Sequence, residues 1–192
     1  SLLEPDPRML DLFHGFPDWG KVVSTEDLDT VRLDDIDETA GVDMIKIDIQ
    51  GGELSALSSA LSRLMTTLVI QTEVEFLPLY KGQPLFSEVE MFLRGRGFMI
   101  HRFYPTVSRV VKPLVIENSI YSSFSQLVWA DAIFMRDITR LDVLEPVQIL
   151  KTAAILHDCY GSIDVVMHLL VEHDRRTGGD IGPRYLQRLH GA

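Results

Sequence analysis

The run Val42-Asp43-Met44-Ile45-Lys46-Ile47-Asp48-Ile49-Gln50-Gly51-Gly52-Glu53-Leu54 constrains the fold of this chain more than any other stretch. Isoleucines at 45, 47 and 49 alternate with Lys46 and Asp48, which predicts a strand over residues 44–49 with one apolar and one charged face. Gly51-Gly52 ends that strand. From Glu53, leucines at 54, 57, 61 and 64 with Ala56 and Ala60 form one stripe of a helix. A strand that hands over to a helix through glycines places polar groups at the carboxyl end of a sheet, where open α/β folds bind ligands.

The next segment completes the unit. Residues 68–72 are β-branched and apolar on both faces, as in a buried parallel strand joined to the first through the intervening helix. After a loop over 76–84, Leu85, Val89, Phe92 and Leu93 predict a helix that Gly95 and Gly97 end. Strands are expected over 98–104 and 127–135. The linker between them, interrupted at Lys112-Pro113 and Glu117-Asn118, is too short for a full helical crossover, so the two pair antiparallel. Upstream, Pro7 starts a short helix, and brief strands at 21–23 and 30–33 flank an acidic loop. From Pro146, apolar residues at helical spacing are interrupted only by Gly161 and Gly178-Gly179, and Pro183 starts a final helix. The division is an α/β part over 1–140 and a helical extension over 141–192.

With 192 residues, 46% of them hydrophobic, the chain can bury a sizeable core. Its net charge of -10 disfavours nucleic acid or an anionic membrane as partner. A small molecule or a protein partner, or a second copy docking through the helical tail, fits that charge. The single cysteine, Cys159, allows no internal disulfide, and no apolar run is long enough to span a bilayer, so the expected location is cytoplasmic.

Lys46 and Asp48 share a strand face, and Glu53 sits in the first turn of the following helix, where the helix dipole alone would favour it. Asp48 on a buried strand costs free energy unless it is paired or functional. Gln71 and Glu73 lie on one face of the next strand, and parallel pairing brings Glu73 near Asp48. Neighbouring carboxylates push their pKa values apart, as proton transfer requires. Phe76, Leu79 and Tyr80 in the following loop either form an apolar wall over a flat ligand or, as loop aromatics more often do, pack down. Asp131, among Trp129, Ile133 and Phe134, reads as a hydrogen-bonded structural carboxylate. His157, His168 and His173 lack zinc-helix spacing, and no metal site is expected from them. Oxygen ligation of a metal by Asp48, Glu53 and Glu73 is a weaker alternative. Neither a Gly-x-Ser-x-Gly elbow nor a P-loop is present.

The segment 44–54 resembles the Ile-Lys-x-Asp-Val/Ile-Glu/Gln-Gly-x-Glu signature of the FkbM family of S-adenosylmethionine-dependent methyltransferases. Thr30-Val31-Arg32-Leu33-Asp34-Asp35-Ile36 is similar to that family's approach to the same strand. Thr72-Glu73-Val74-Glu75-Phe76 with Pro78-Leu79-Tyr80, then Gln83-Pro84-Leu85-Phe86 and Gly97-Phe98, follow in the family's order. The resemblance spans about 1–137. It implies a partial Rossmann-like class I methyltransferase sheet with an antiparallel terminal strand pair, followed here by an all-helical C-terminal tail. It also implies S-adenosylmethionine as donor and the hydroxyl of a sugar or other small natural product as acceptor. Asp48 and Glu73 would then be catalytic, with Lys46, Gln50, Glu53 and Tyr80 near substrate or cofactor. The family's glycine-rich donor turn has no counterpart here; Glu4-Pro5-Asp6-Pro7 resembles words found both at its ribose acid and in a later insertion. Without that turn, this chain alone is expected to bind the donor weakly. The alternative is a non-catalytic remnant that binds a protein through the tail.

Overall fold

A computed structural model describes residues 1–191. Four strands form one sheet in the order β1-β2-β4-β3: β1 (Met44–Ile47), β2 (Val69–Glu75), β3 (Phe98–Arg109) and β4 (Gln126–Arg136). The first two pair in parallel and β4 runs antiparallel to both its neighbours. This is the expected α/β sheet with its antiparallel terminal pair. The parallel pair needs a crossover, which the helices α3 (Glu53–Ser58) and α4 (Leu61–Thr66) supply.

The stripe expected as one helix is therefore two. The break at Ser59-Ala60 is fixed from outside: the Asp34 carboxylate accepts hydrogen bonds from Ser62 N at 2.9 Å and Arg63 N at 3.1 Å, capping α4. Those amides hold the Asp34 carboxyl below its ordinary pKa. Leu57, Ala60 and Leu64 still reach one face of the sheet, where they meet Ile47, Ile70, Val74 and Phe134. Helix α5 (Phe86–Arg94) adds Val89 and Leu93 to that layer. Its first turn is closed by Glu88, which accepts from Leu85 N at 2.8 Å.

The opposite face carries the tail. Helices α6 (Pro146–Tyr160) and α7 (Ile163–Thr177) bury Ile149, Ala153, Leu156, Val166 and Leu169 against Leu68, Val69, Ile133 and Met135 of the sheet. Full burial of each of the larger of these side chains is worth roughly 1.5–3 kcal/mol. Helix α8 (Ile181–His190) is anchored by Gly182 N donating to Asp174 Oδ2 at 2.7 Å. None of the described helices is long and apolar enough to cross a membrane.

Two differences from the sequence reading lie upstream. Residues 21–32 form no strand: Val22, Val23, Leu28 and Val31 are exposed, and the segment makes no ladder with the sheet although the edge of β1 is free. The helix after Pro7 is a single turn, α1 (Pro7–Leu10), followed by a second, α2 (Phe16–Trp19). Leu10, Phe13 and Phe16 from these turns pack with Val128 of β4 beside the carboxyl end of β2. Backbone bonds from Asp6 N to Leu79 O and from Lys81 N to Glu4 O, at 2.9 and 2.8 Å, tie this segment to the loop after β2.

Candidate functional site

Strand β1 leaves the sheet at Ile47, two residues earlier than its alternation suggests, because the chain turns sharply at Gln50 and Gly51. Their φ angles are +59° and +99°. The φ angle at Gly51 calls for glycine, and a Cβ there would also press on the side chains of Leu3 and Gln83, at 3.1 and 3.2 Å. Glu53 folds back over this turn. Its two carboxylate oxygens accept from Ile49 N and Gly51 N, each at 2.8 Å, and the side chain is buried. The result projects the Gln50 side chain across the strand ends. Its amide nitrogen donates to Asp48 Oδ1 at 3.0 Å and to Glu73 Oε2 at 2.9 Å.

The register explains why those two acids meet. Lys46 pairs with Gln71 and Ile47 with Thr72, and one further step sets Asp48 beside Glu73. On the other side of β2, Glu73 faces Asp131 and Glu75 faces Trp129. Gln71, Glu73 and Glu75 share one face of β2 by the two-residue repeat. Gln71 donates to Asp131 and accepts from Tyr160 Oη of α6 at 2.9 Å, so the tail reaches the edge of the site. This gives Asp131 the hydrogen-bonded setting expected of it.

Beyond this row the sheet face opens into a cavity of about 290 Å³ between β2 and the two upstream turns. Phe16, Trp19, Tyr80 and Trp129 form its aromatic walls, and Gln50, Glu73 and Glu75 its polar side. Phe16 links the two tryptophans, with ring centroids 5.0 Å from Trp19 and 6.0 Å from Trp129. Burial pushes the Glu73 carboxyl up to about 7, helped by the charges of Asp48, Glu53 and Asp131 and opposed by the Gln50 hydrogen bond. Glu75 is pushed up to about 8, again chiefly by burial, then by Glu53 and Glu73. The Tyr80 hydroxyl is raised by burial and by the same acids. Such a row of acids near neutral pH, beside an apolar wall, can hold a hydroxyl or amine and accept its proton.

Asp48, Glu73 and Gln50 thus converge, and Leu79 and Tyr80 line the cavity as expected. Lys46 does not. Its ammonium is 4.0 Å from Asp48 Oδ2, but both residues open onto a separate groove along the free edge of β1. Glu53 contacts no cavity; both of its oxygens are engaged by backbone amides. It is therefore not placed to ligate a metal with Asp48 and Glu73, and no cluster of three potential ligands occurs among the described residues. Phe76 turns to the other sheet face, against Phe86 and Phe103, with centroids at 5.8 and 5.6 Å. Sequence reasoning missed Glu75 as a lining acid, although its two-residue offset from Glu73 signals the shared face. It also missed Phe16, Trp19 and Trp129, whose convergence depends on how the upstream turns dock.

Comparison with curated proteins and with solved structures gives no match. A family model, described as the methyltransferase FkbM domain, matches residues 6–100. That stretch contains β1, β2, the Gln50-Gly51-Gly52 turn and every polar residue on the cavity wall. Over residues 6–100 this chain is therefore similar to the FkbM methyltransferase family.

Proposed function

We propose that this chain forms the acceptor side of an S-adenosylmethionine-dependent O-methyltransferase, acting on a hydroxyl of a sugar or another small natural product. The observation that carries this reading is the Asp48–Gln50–Glu73 bridge at the mouth of an aromatic cavity. The match to the FkbM methyltransferase domain supports dependence on S-adenosylmethionine in general terms. The acidic cleft suits the positive sulfonium of that donor. Its methionine end, however, would need a strand and a glycine turn outside β1, and the described residues before Met44 form only single helical turns and irregular chain. The described residues do not make a complete donor site. What they supply is acceptor chemistry: Gln50 fixes the spacing of the two acids, the aromatic walls would hold the acceptor, and Glu73 would take the hydroxyl proton while the donor's sulfonium–methyl bond gave way to the new C–O bond and left a neutral thioether.

The test is methyl transfer from S-adenosylmethionine to small alcohols, comparing the protein with its Glu73→Gln and Asp48→Asn variants. A loss of about 10²–10⁴ in kcat in Glu73→Gln, with acceptor binding retained, is expected of a general base. Unchanged kcat in Glu73→Gln would remove that acid from the chemistry. A second reading, a non-catalytic module that binds a protein partner through its tail, draws on the same missing turn. Against it stands the tail itself, whose apolar stripe is already buried on the sheet.

A further inference from the structure

Glu75 has no part in the proton transfer just described, yet it is 3% exposed and lines the cavity. No described lysine, arginine or histidine pairs with its carboxylate; the Gln83 amide beside it, itself buried and without another partner, and its own backbone ease its ionisation only in part. Buried carboxyls without a cationic partner are rare because their desolvation is not offset. The cavity wall contains two acids, Glu73 and Glu75, and no lysine, arginine or histidine. The guanidinium of Arg109 lies 5.1 Å from the Trp129 ring centroid, and Arg109 does not line the cavity.

We propose that the cavity takes a protonated amine: the acceptor carries an ammonium group that sits among Phe16, Trp19, Tyr80 and Trp129 and donates to Glu75. This rests on the reading of the cavity as the acceptor site and narrows the substrate class to amine-bearing alcohols. The aromatic faces attract the cation through their quadrupoles, and Glu75 supplies the charge-assisted hydrogen bond that no protein group provides. Glu73 and Gln50, at the mouth, remain available to the hydroxyl.

Both tryptophans of the chain, Trp19 and Trp129, line this cavity, so intrinsic fluorescence reports on it directly. Titration of the full chain with 2-phenylethylammonium and with neutral 2-phenylethanol compares the charge at nearly constant shape. The ammonium is expected to bind about tenfold more tightly, a preference lost in Glu75→Gln. Equal affinity of the two probes for the unaltered protein, or a preference that survives Glu75→Gln, overturns the assignment. Neither result depends on methyl transfer. Loss of the amine preference with the Glu73→Gln effect on kcat intact would sink this proposal alone; the converse would sink the methyltransferase reading and leave the amine site standing.

Discussion

One face of the sheet contains two regions that differ sharply, and a single strand passes through both. At its start, Val69 of β2 and Met135 of β4 are buried under α6 and α7 in an apolar layer. Further along, on the same face, stand Gln71, Glu73 and Glu75, opposite Ile133, Asp131 and Trp129. The helical cover stops at Tyr160, and Leu10 of α1, Phe13, and Phe16 and Trp19 of α2 cover the rest. The first region is satisfied by packing alone. In the second, Glu75 is buried and Gln71, Glu73, Asp131 and Trp129 are half-buried, and burial of the acids makes Glu73 and Glu75 prefer to stay protonated. The contrast separates the part of the face that keeps the fold from the part available for chemistry.

The sharpest way to break that contrast is pH. Glu73 and Glu75 have folded-state values near 7 and 8, against 4.5 for the ordinary carboxyl. Between those limits the unfolded chain gives up its protons first. Stability is therefore fully present below about pH 4.5 and falls as pH rises through 8, by roughly 4 kcal/mol for Glu75 alone. Urea titrations across that range should show the decline, and Glu75→Gln should flatten most of it. A wild-type profile flat from pH 5 to 9 would mean the acids are solvated.

The apolar region gives the next effect. Leu156→Ala leaves a cavity under α6 and should cost about 3 kcal/mol at any pH. If it instead left stability unchanged, the tail would not be part of the core. Glu53→Ala strips two backbone amides of their acceptor and should cost about 2 kcal/mol. Because it also removes a negative charge that holds Glu73 up, it should lower the Glu73 titration point, visible by carboxyl NMR. The smallest change expected is in Tyr160→Phe, about 1 kcal/mol, from the lost bond to Gln71; an effect near zero would mark that contact as incidental.

How much of this was legible in the sequence follows from the range of the forces involved. The alternation at 45–49 and the β-branched run at 68–72 report local periodicity, and the parallel pair with its register, and hence the meeting of Asp48 and Glu73, follows from them. The antiparallel pair was legible from the interrupted linker between the strands. The strands at 21–23 and 30–33 were misread because two or three apolar residues in a row say nothing about whether they join a free edge. The break at Ser59 was hidden because its cause, Asp34, is distant in sequence. Glu53 looked like one more charge at the strand end, whereas its two oxygens belong to the turn; nothing in residue type distinguishes the two uses. The aromatic wall depends on the docking of α1 and α2, which no periodicity encodes.

Tyr160, at the last turn of α6, extends a chain of contacts from the helical cover through Gln71 to Asp131, whose charge acts on Glu73. The tail therefore sets part of the electrical background in which the acid titrates. Grafting a different bundle onto the same sheet would retune the proton affinity of the cleft even if every residue lining it were kept.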